Sequence, residues 1–301
     1  MPTALVIGRR REGRPIGDIV GETARLLEAA GWTVDRSVVR RKKALRRHAA
    51  AAAARATDVV VAVGGDGAVL QVVQGVGETA TALGIIPMGT GNLLAMNLGI
   101  PKDLGRAVHV ILEGRKRTID LGHAVVGAKE WLFSVACGIG FDAEVMRATS
   151  KSSKRRWGKL AYVASAIRAS RRVRDVATAI TVDGHETTIP AMQVFVANFG
   201  RTGLSFQPRR PVEPADGALD VIVLRAPDRL AAIVAAWHAI RQPHEGHSGN
   251  GRAFRTKGRE IQIQTKRKRL VELDGSVVGT TPVTVAVRPG ALTVLVPASK
   301  T

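Results

Sequence analysis

Residues 59–67 read Val-Val-Val-Ala-Val-Gly-Gly-Asp-Gly, and no other stretch limits the fold as strongly. A β-branched run with no polar interruption cannot be a strand with one wet face. It belongs at the centre of a parallel sheet covered by helices on both sides. Gly64, Gly65 and Gly67 end the run, and helix-forming sequence follows from Ala68 to Val76. The pattern recurs where a second apolar strand, Leu83 to Ile86, leads into Pro87-Met-Gly-Thr-Gly-Asn92 just before another helix. Two glycine loops at the carboxyl ends of strands in one parallel sheet are expected to converge on one crevice.

The flanking segments supply the rest of such a sheet. Ala4 to Gly8 and Trp32 to Val39 read as strands, and Asp18 to Ala30 carries Ile19, Thr23, Leu26 and Leu27 at helical spacing before stopping at Gly31. Ala44 to Ala56, rich in alanine, reads as a helix, as do Gly91 to Leu98 and Asp103 to Glu113. An α/β domain with a Rossmann-like parallel sheet is therefore expected over 1–115. Beyond it come strands separated by turns: Thr118 to Val126, Trp131 to Ala136, Ala177 to Asp183, Gln193 to Ala197, Leu219 to Leu224, Glu260 to Thr265, Val271 to Leu273, Val283 to Val287 and Ala291 to Val296. This predicts a mainly β domain over 116–301, with the last strand a candidate to return to the N-terminal domain. Helices near Phe141 to Ala148, Trp157 to Arg171 and Asp228 to Ile240 interrupt it.

Composition narrows the class of partner. With 45 Lys and Arg against 25 Asp and Glu, the chain carries a net charge of +20. Arg40 to Arg47, Lys151 to Arg174 and Lys266 to Arg269 are its basic clusters, and such fields attract phosphates in nucleotides, nucleic acid or lipid headgroups. Cys137 is the single cysteine, which excludes a disulfide framework and a multi-cysteine zinc site. No apolar run reaches the roughly 18 residues of a membrane span. The order of Met1 to Gly8 and then Arg9, Arg10 and Arg11 is the reverse of a signal peptide, so a cytoplasmic protein is expected.

Glycines at a strand's carboxyl end let backbone N–H groups approach a phosphate closely, and the following helix aims its positive end at the same place. Asp66 would repel a phosphate, so it is expected to act through Mg²⁺ or by accepting hydrogen bonds from loop amides. Thr90 can donate its hydroxyl to a phosphate oxygen, and Asn92 can cap the next helix or hold the loop. Read alone, the first loop has an ordinary Asp-Gly turn after a strand as its alternative reading.

Gly64 to Gly67 and Gly89 to Asn92, followed by Leu98-Gly-Ile-Pro101, resemble the nucleotide loops of the diacylglycerol kinase catalytic-domain superfamily, which includes bacterial lipid kinases and sphingosine kinases. The resemblance extends through Cys137-Gly-Ile-Gly-Phe-Asp-Ala143, Trp157-Gly-Lys-Leu-Ala-Tyr162, Val196-Ala-Asn198, Pro214-Ala-Asp-Gly-Ala-Leu-Asp220 and Leu273-Asp-Gly275. It implies ATP-dependent phosphorylation of a diacylglycerol or similar long-chain lipid alcohol, in a cleft between an α/β domain and a C-terminal β-sandwich. It also implies a nucleotide site at Gly64, Gly65, Asp66, Gly67, Ala68, Gly89, Thr90, Gly91 and Asn92, with Asp274 as general base. A structural Mg²⁺ would be held by Asp216 and the carbonyls of Glu213 and Ala218. A lipid acceptor implies access to an anionic membrane, and Lys151 to Arg174, with Trp157, Leu160 and Ile167, would suit peripheral contact at the inner membrane surface. A homodimer is one of the assemblies the sequence leaves open.

The chain departs from the family pattern at several positions. Ser276 replaces a glutamate after Asp274-Gly275, Ala68 replaces a threonine, and Leu93 stands where many diacylglycerol kinases have aspartate. The first strand ends in Gly8-Arg-Arg-Arg-Glu-Gly13 rather than an Asn-Pro loop, and its arginines could substitute as charge. The Gly-Gly-Asp-Gly loop is shared with NAD kinases, so a soluble-acceptor kinase is the enzymatic alternative. A catalytically weak lipid- or nucleotide-binding protein is another. The few aromatic residues argue against nucleic acid as the partner. Gly138 to Ala143 fits a dinucleotide fingerprint without the later acid, His244 and His247 have metal spacing without a further ligand, and Cys137 reads as core. There is no Walker A signature.

Overall fold

The computed structural model describes residues 1–140, 175–200, 212–225 and 253–298. The chain forms two compact units. One comprises Met1–Leu121, Leu132–Ser134 and Arg288–Thr301, the other Gly122–Trp131 and Val135–Val287.

The first unit alternates strand and helix: β1 (Thr3–Arg9), α1 (Ile16–Ala29), β2 (Thr33–Val39), α2 (Lys42–Ala54), β3 (Val59–Gly64), α3 (Asp66–Val76), β4 (Ala82–Pro87), then α4 (Leu93–Asn97) and α5 (Leu104–Glu113). The strands order β2-β1-β3-β4 and are all parallel, and Val294 of the chain's last strand pairs parallel with Leu83. Alternation along each strand divides the core. Ala4, Val6, Val59 and Val61 pack against Val20, Ala24 and Leu27 of α1 and Ala107 and Ile111 of α5. Their neighbours Leu5, Ile7, Val60 and Ala62 are also buried and point to the opposite face, as a period of two requires. Packing of α3 on α2 depends on Gly75, where a Cβ would lie 2.6 Å from the Arg46 carbonyl and 2.7 Å from the Ala49 methyl.

The later strands are β5 (Arg115–Val126), β6 (Lys129–Phe133), β7 (Ala136–Gly140), β8 (Val176–Val182), β9 (His185–Ala191), β10 (Gln193–Ala197), β11 (Leu219–Leu224), β12 (Ala253–Gly258), β13 (Glu260–Thr265), β14 (Leu270–Leu273), β15 (Ser276–Thr280) and β16 (Val283–Val296). In the second unit β13 lies between β8 and the first residues of β16, β9 extends β8, and all these pairings are antiparallel. A six-stranded sheet runs in the order β12-β11-β10-β7-β14-β15, also antiparallel.

The structure corrects the sequence reading at several elements. The expected strand Trp131 to Ala136 is two, β6 and β7, because the chain leaves its pairing with β5 and enters the six-stranded sheet. The expected break at Pro289-Gly290 does not end β16. Gly290 takes a φ of 59° and its amide donates to the buried Asp120 carboxylate at 2.7 Å, which absorbs the irregularity. Strands β9, β12 and β15 are not among those expected, and all three are sheet edges. An edge strand needs little apolar sequence and tolerates Pro190. The three helices expected near 141–148, 157–171 and 228–240 lie outside the described residues, as do the basic segment 151–174 and His244 and His247. Among the described residues no helix is long and apolar enough to cross a membrane.

Candidate active site

The parallel register places the strand ends side by side. Gly8 is level with Val63, and Gly64 is level with Pro87, so the loops after β1, β3 and β4 leave from one edge of the sheet. The two glycine loops then interlock. A Cβ on Gly65 would lie 2.8 Å from the Gly89 Cα, and one on Gly89 would lie 2.6 Å from the Gly65 Cα. Only glycine at both positions lets these backbones touch. The Met88 amide donates to the Gly64 carbonyl at 2.8 Å.

Asp66 joins the loops through its side chain. One carboxylate oxygen accepts the Asn92 amide at 2.9 Å, and the other accepts the Leu93 amide. Hydrogen bonding to loop amides, one of the two roles open to Asp66, is thus present. Asn92 is buried in the left-handed region with φ 52°. Its side-chain oxygen accepts the Gly89 amide at 2.7 Å and its side-chain nitrogen donates to the Gly89 carbonyl at 2.9 Å. Asn92 therefore holds the loop, while the acceptor at the start of α4 is Asp66. Ala68 sits in the first turn of α3, where its methyl would meet any Cβ on Gly64 at 2.6 Å. Thr90 and Gly91 are exposed at the tip, and the amides of Asp66, Gly67, Thr90 and Gly91 find no acceptor among the described residues. An edge of unpaired N–H groups with no carboxylate oxygen to spare is suited to an anion.

In the second unit, Asp274 and Gly275 form the two-residue turn between β14 and β15, with φ 43° and 77°. Positive φ at both positions is the signature of a type I′ hairpin. The turn is nevertheless buried: Asp274 is 5% exposed, and its Oδ1 accepts the amides of Val135 at 2.8 Å and Ala136 at 3.0 Å. Its own amide donates to the Ala136 carbonyl at 3.1 Å. Glu272, which sequence reasoning missed, is also 5% exposed and accepts the Gly275 amide at 2.7 Å. The available signal was its parity with Asp274 together with Gly138 opposite it on β7, where a Cβ would lie 2.6 Å from Glu272 Oε1. Burial pushes the Cys137 thiol well above its ordinary range, and Glu272 and Asp274 push it further, as befits a core residue and not a nucleophile.

Family models match both parts of the chain. The diacylglycerol kinase catalytic domain matches residues 4–124, and the YegS C-terminal NAD kinase beta sandwich-like domain matches residues 135–296, more than half of the chain. The chain belongs to the diacylglycerol kinase and YegS-like lipid kinase family. It is 32% identical to a diacylglycerol kinase of Mycobacterium tuberculosis over 183 residues, 58% of this chain and 57% of that protein. Against a diacylglycerol kinase of Bacillus subtilis it is 28% identical over 229 residues, covering 75% of this chain and 73% of the relative. An uncharacterized Synechocystis protein is 28% identical over 240 residues, with 79% of this chain and 54% of that protein covered. The matched stretch thus spans little more than half the length of the mycobacterial and cyanobacterial relatives. A crystal structure of a diacylglycerol kinase from Bacillus anthracis superposes with a TM-score of 0.72 at 20% identity, over 98% of this chain and 96% of that one, a likeness of fold.

Within this family frame the Asp216 group stands apart from Asp274. Asp220 is level with Ala197, Ala197 with Ala136, and Asp274 with Ala136, so the two aspartates lie three strand spacings apart, about 14 Å. The Asp216 carboxylate accepts the Ala218 amide at 3.2 Å and is ion-paired with Lys257. Glu213 is exposed. Asp220, 2% exposed, accepts Arg255 Nε at 2.7 Å, while its other oxygen has no hydrogen bond and lies 4.0 Å from Lys257 Nζ. A lysine ammonium thus stands where a cation would meet Asp216. Among the described residues no group of three or more His, Cys, Asp or Glu side chains could hold a metal ion. A Mg²⁺ at Asp216, with the carbonyls of Glu213 and Ala218, would have to displace the Lys257 ammonium from the carboxylate.

Proposed function

We propose that this protein transfers the γ-phosphoryl group of ATP·Mg²⁺ to the hydroxyl of a diacylglycerol or a similar long-chain lipid alcohol. The observation that carries the reading is the interlocked pair of glycine loops with unpaired amides at Asp66, Gly67, Thr90 and Gly91. Phosphoryl transfer needs little covalent chemistry from the protein and mostly needs positioning and charge stabilisation. The loop amides supply fixed donors to the phosphate oxygens, and they cost nothing to reorganise because Asp66 and Asn92 already hold them. A lipid hydroxyl is a weak nucleophile. Asp274 accepts its proton as the oxygen bonds to the γ-phosphorus and the bond to the ADP oxygen breaks. Two backbone amides on Asp274 Oδ1 keep the carboxylate oriented, and Glu272 holds the turn that carries it. The Mg²⁺ arrives with ATP and neutralises phosphate charge.

The test is transfer of label from γ-labelled ATP into organic-extractable product, with total lipid in mixed micelles, beside a parallel reaction with NAD as acceptor. Label in the lipid phase that vanishes in Asp274→Asn supports the reading. Label in NAD alone transfers the assignment to a soluble acceptor, and nucleotide binding with no transfer to either leaves a binding role.

A further inference from the structure

Asp216 precedes β11 and Asp220 lies near its start, and the strand beside them, β12, decides what they meet. Asp220 is level with Lys257 in the β11–β12 register. Arg255 and Lys257 are two residues apart on β12, so they share a face, and Arg259 follows two residues later. Arg255 Nε donates to Asp220 Oδ1 at 2.7 Å. Lys257 Nζ is ion-paired with Asp216 and lies 4.0 Å from Asp220 Oδ2. Arg259 Nη2 lies 3.8 Å from the point a Cβ on Gly217 would occupy. Three cations thus meet two carboxylates, and the exposed Glu213 only brings the charges level. A dication would enter a field that is already neutralised and would meet the repulsion of an ammonium at close range.

Asp220 decides which of these cations matters. It is 2% exposed, and its Oδ2 has no hydrogen bond. A buried carboxylate oxygen without a donor is costly unless a cation stands near it. The Lys257 ammonium does so. It is a compact charge with three donors on a flexible stem, able to bind Asp216 directly while offsetting the charge of Asp220.

We infer that the Lys257 ammonium is the structural cation of this loop, a tethered charge that does the work of a bound divalent ion, and that the wild-type loop takes no such ion. Because the ammonium is covalently attached, placing it costs no translational freedom and does not follow the ambient ion concentration. The oxygens themselves are of the kind a hard cation prefers, so removing Lys257 uncovers a divalent site at Asp216 and Asp220 Oδ2. This concerns the nucleotide-free fold and stands apart from the kinase reading, whose Mg²⁺ arrives with ATP.

Mn²⁺ titration followed by electron paramagnetic resonance, with thermal midpoints in Mg²⁺ and in EDTA, tests it on the nucleotide-free full chain. Wild type and Asp216→Asn should bind Mn²⁺ equally. Lys257→Met keeps the apolar stem and removes the charge, so it should bind Mn²⁺ about tenfold or more tightly than the wild type. Its midpoint should also rise in Mg²⁺ over EDTA, and both gains should vanish when Asp216→Asn is added. Lys257→Arg, which keeps the charge, should gain nothing. Wild-type Mn²⁺ binding that Asp216→Asn removes overturns the inference, as does a folded Lys257→Met that binds no more Mn²⁺ than the wild type. If Lys257→Met does not fold, the wild type against Asp216→Asn decides alone: equal binding supports the tethered cation and a loss overturns it. Failure to phosphorylate lipid would strike the kinase reading and leave each of these outcomes unchanged.

Discussion

Asp66→Ala isolates the member of the glycine loops whose work is structural. The carboxylate takes two backbone amides on a loop 26 and 27 residues away, and these are the donors at the start of α4. Charge-assisted hydrogen bonds contribute about 1.5–3 kcal/mol each. Asp66 is only half-buried, so water recovers part of this, and the net cost should be about 2–4 kcal/mol. Without Asp66, nothing on α3 holds Asn92 in its left-handed conformation, so the Gly89–Asn92 loop should also lose its fixed amides and the affinity for ATP should fall. Urea denaturation gives the first number and titration with an ATP analogue the second. Gly91 supplies a sharper check, since a Cβ there would lie 2.8 Å from Asp66 Oδ2. Gly91→Ala should therefore destabilise the wild type more than it destabilises Asp66→Ala, giving a coupling in a double-mutant cycle of roughly 0.5 kcal/mol or more. An Asp66→Ala cost below about 0.5 kcal/mol, with nucleotide affinity intact and no coupling to Gly91, would refute the cross-linking role.

Four further outcomes are expected. Gly75→Ala should lower stability by about 1–3 kcal/mol despite the better helix propensity of alanine, because the new methyl meets the Arg46 carbonyl backbone at 2.6 Å; a neutral or raised urea midpoint would count against the α2–α3 contact. Asp274→Asn keeps an oxygen for the Val135 and Ala136 amides, so kcat should fall about 10²–10⁴-fold with a thermal midpoint near wild type. Lys257→Met should cost about 0.5–1 kcal/mol, given the partial exposure of the Asp216 pair, and the nucleotide-free wild type should melt at the same temperature in Mg²⁺ and in EDTA; a rise with Mg²⁺ would place a metal at Asp216 after all. Amides of Glu260 and Arg259 hold the Asp183 carboxyl below its ordinary value, so its contribution is full above the unfolded-state value and disappears as pH falls through the folded one. Asp183→Asn should accordingly show a shallower loss of stability on the acid limb, measured by urea midpoints against pH.

The sequence alone determined the parallel sheet, the helices around it and the loops that end β3 and β4. Their signals are local: an unbroken β-branched run, helical spacing in residues 18–30, and glycines placed where strands stop. Leu219–Leu224 and Glu260–Thr265 were legible for the same reason, since burial on a pleated surface writes itself into apolar residues. Edge strands β9 and β12 were not, because a strand with solvent on its flank needs no apolar signature. Polar partners were beyond reach of any local pattern. Asp66 meets Asn92 and Leu93 only because β3 and β4 are adjacent, and Glu272 and Asp274 close one turn against Val135 and Ala136, more than a hundred residues earlier in the chain. Lys257 stands against Asp216 because β12 pairs with β11. Hydrophobic periodicity encodes which side of an element is dry, whereas the partner of a charged group depends on which distant backbone the fold brings within 3 Å, and that is decided only when the sheets assemble.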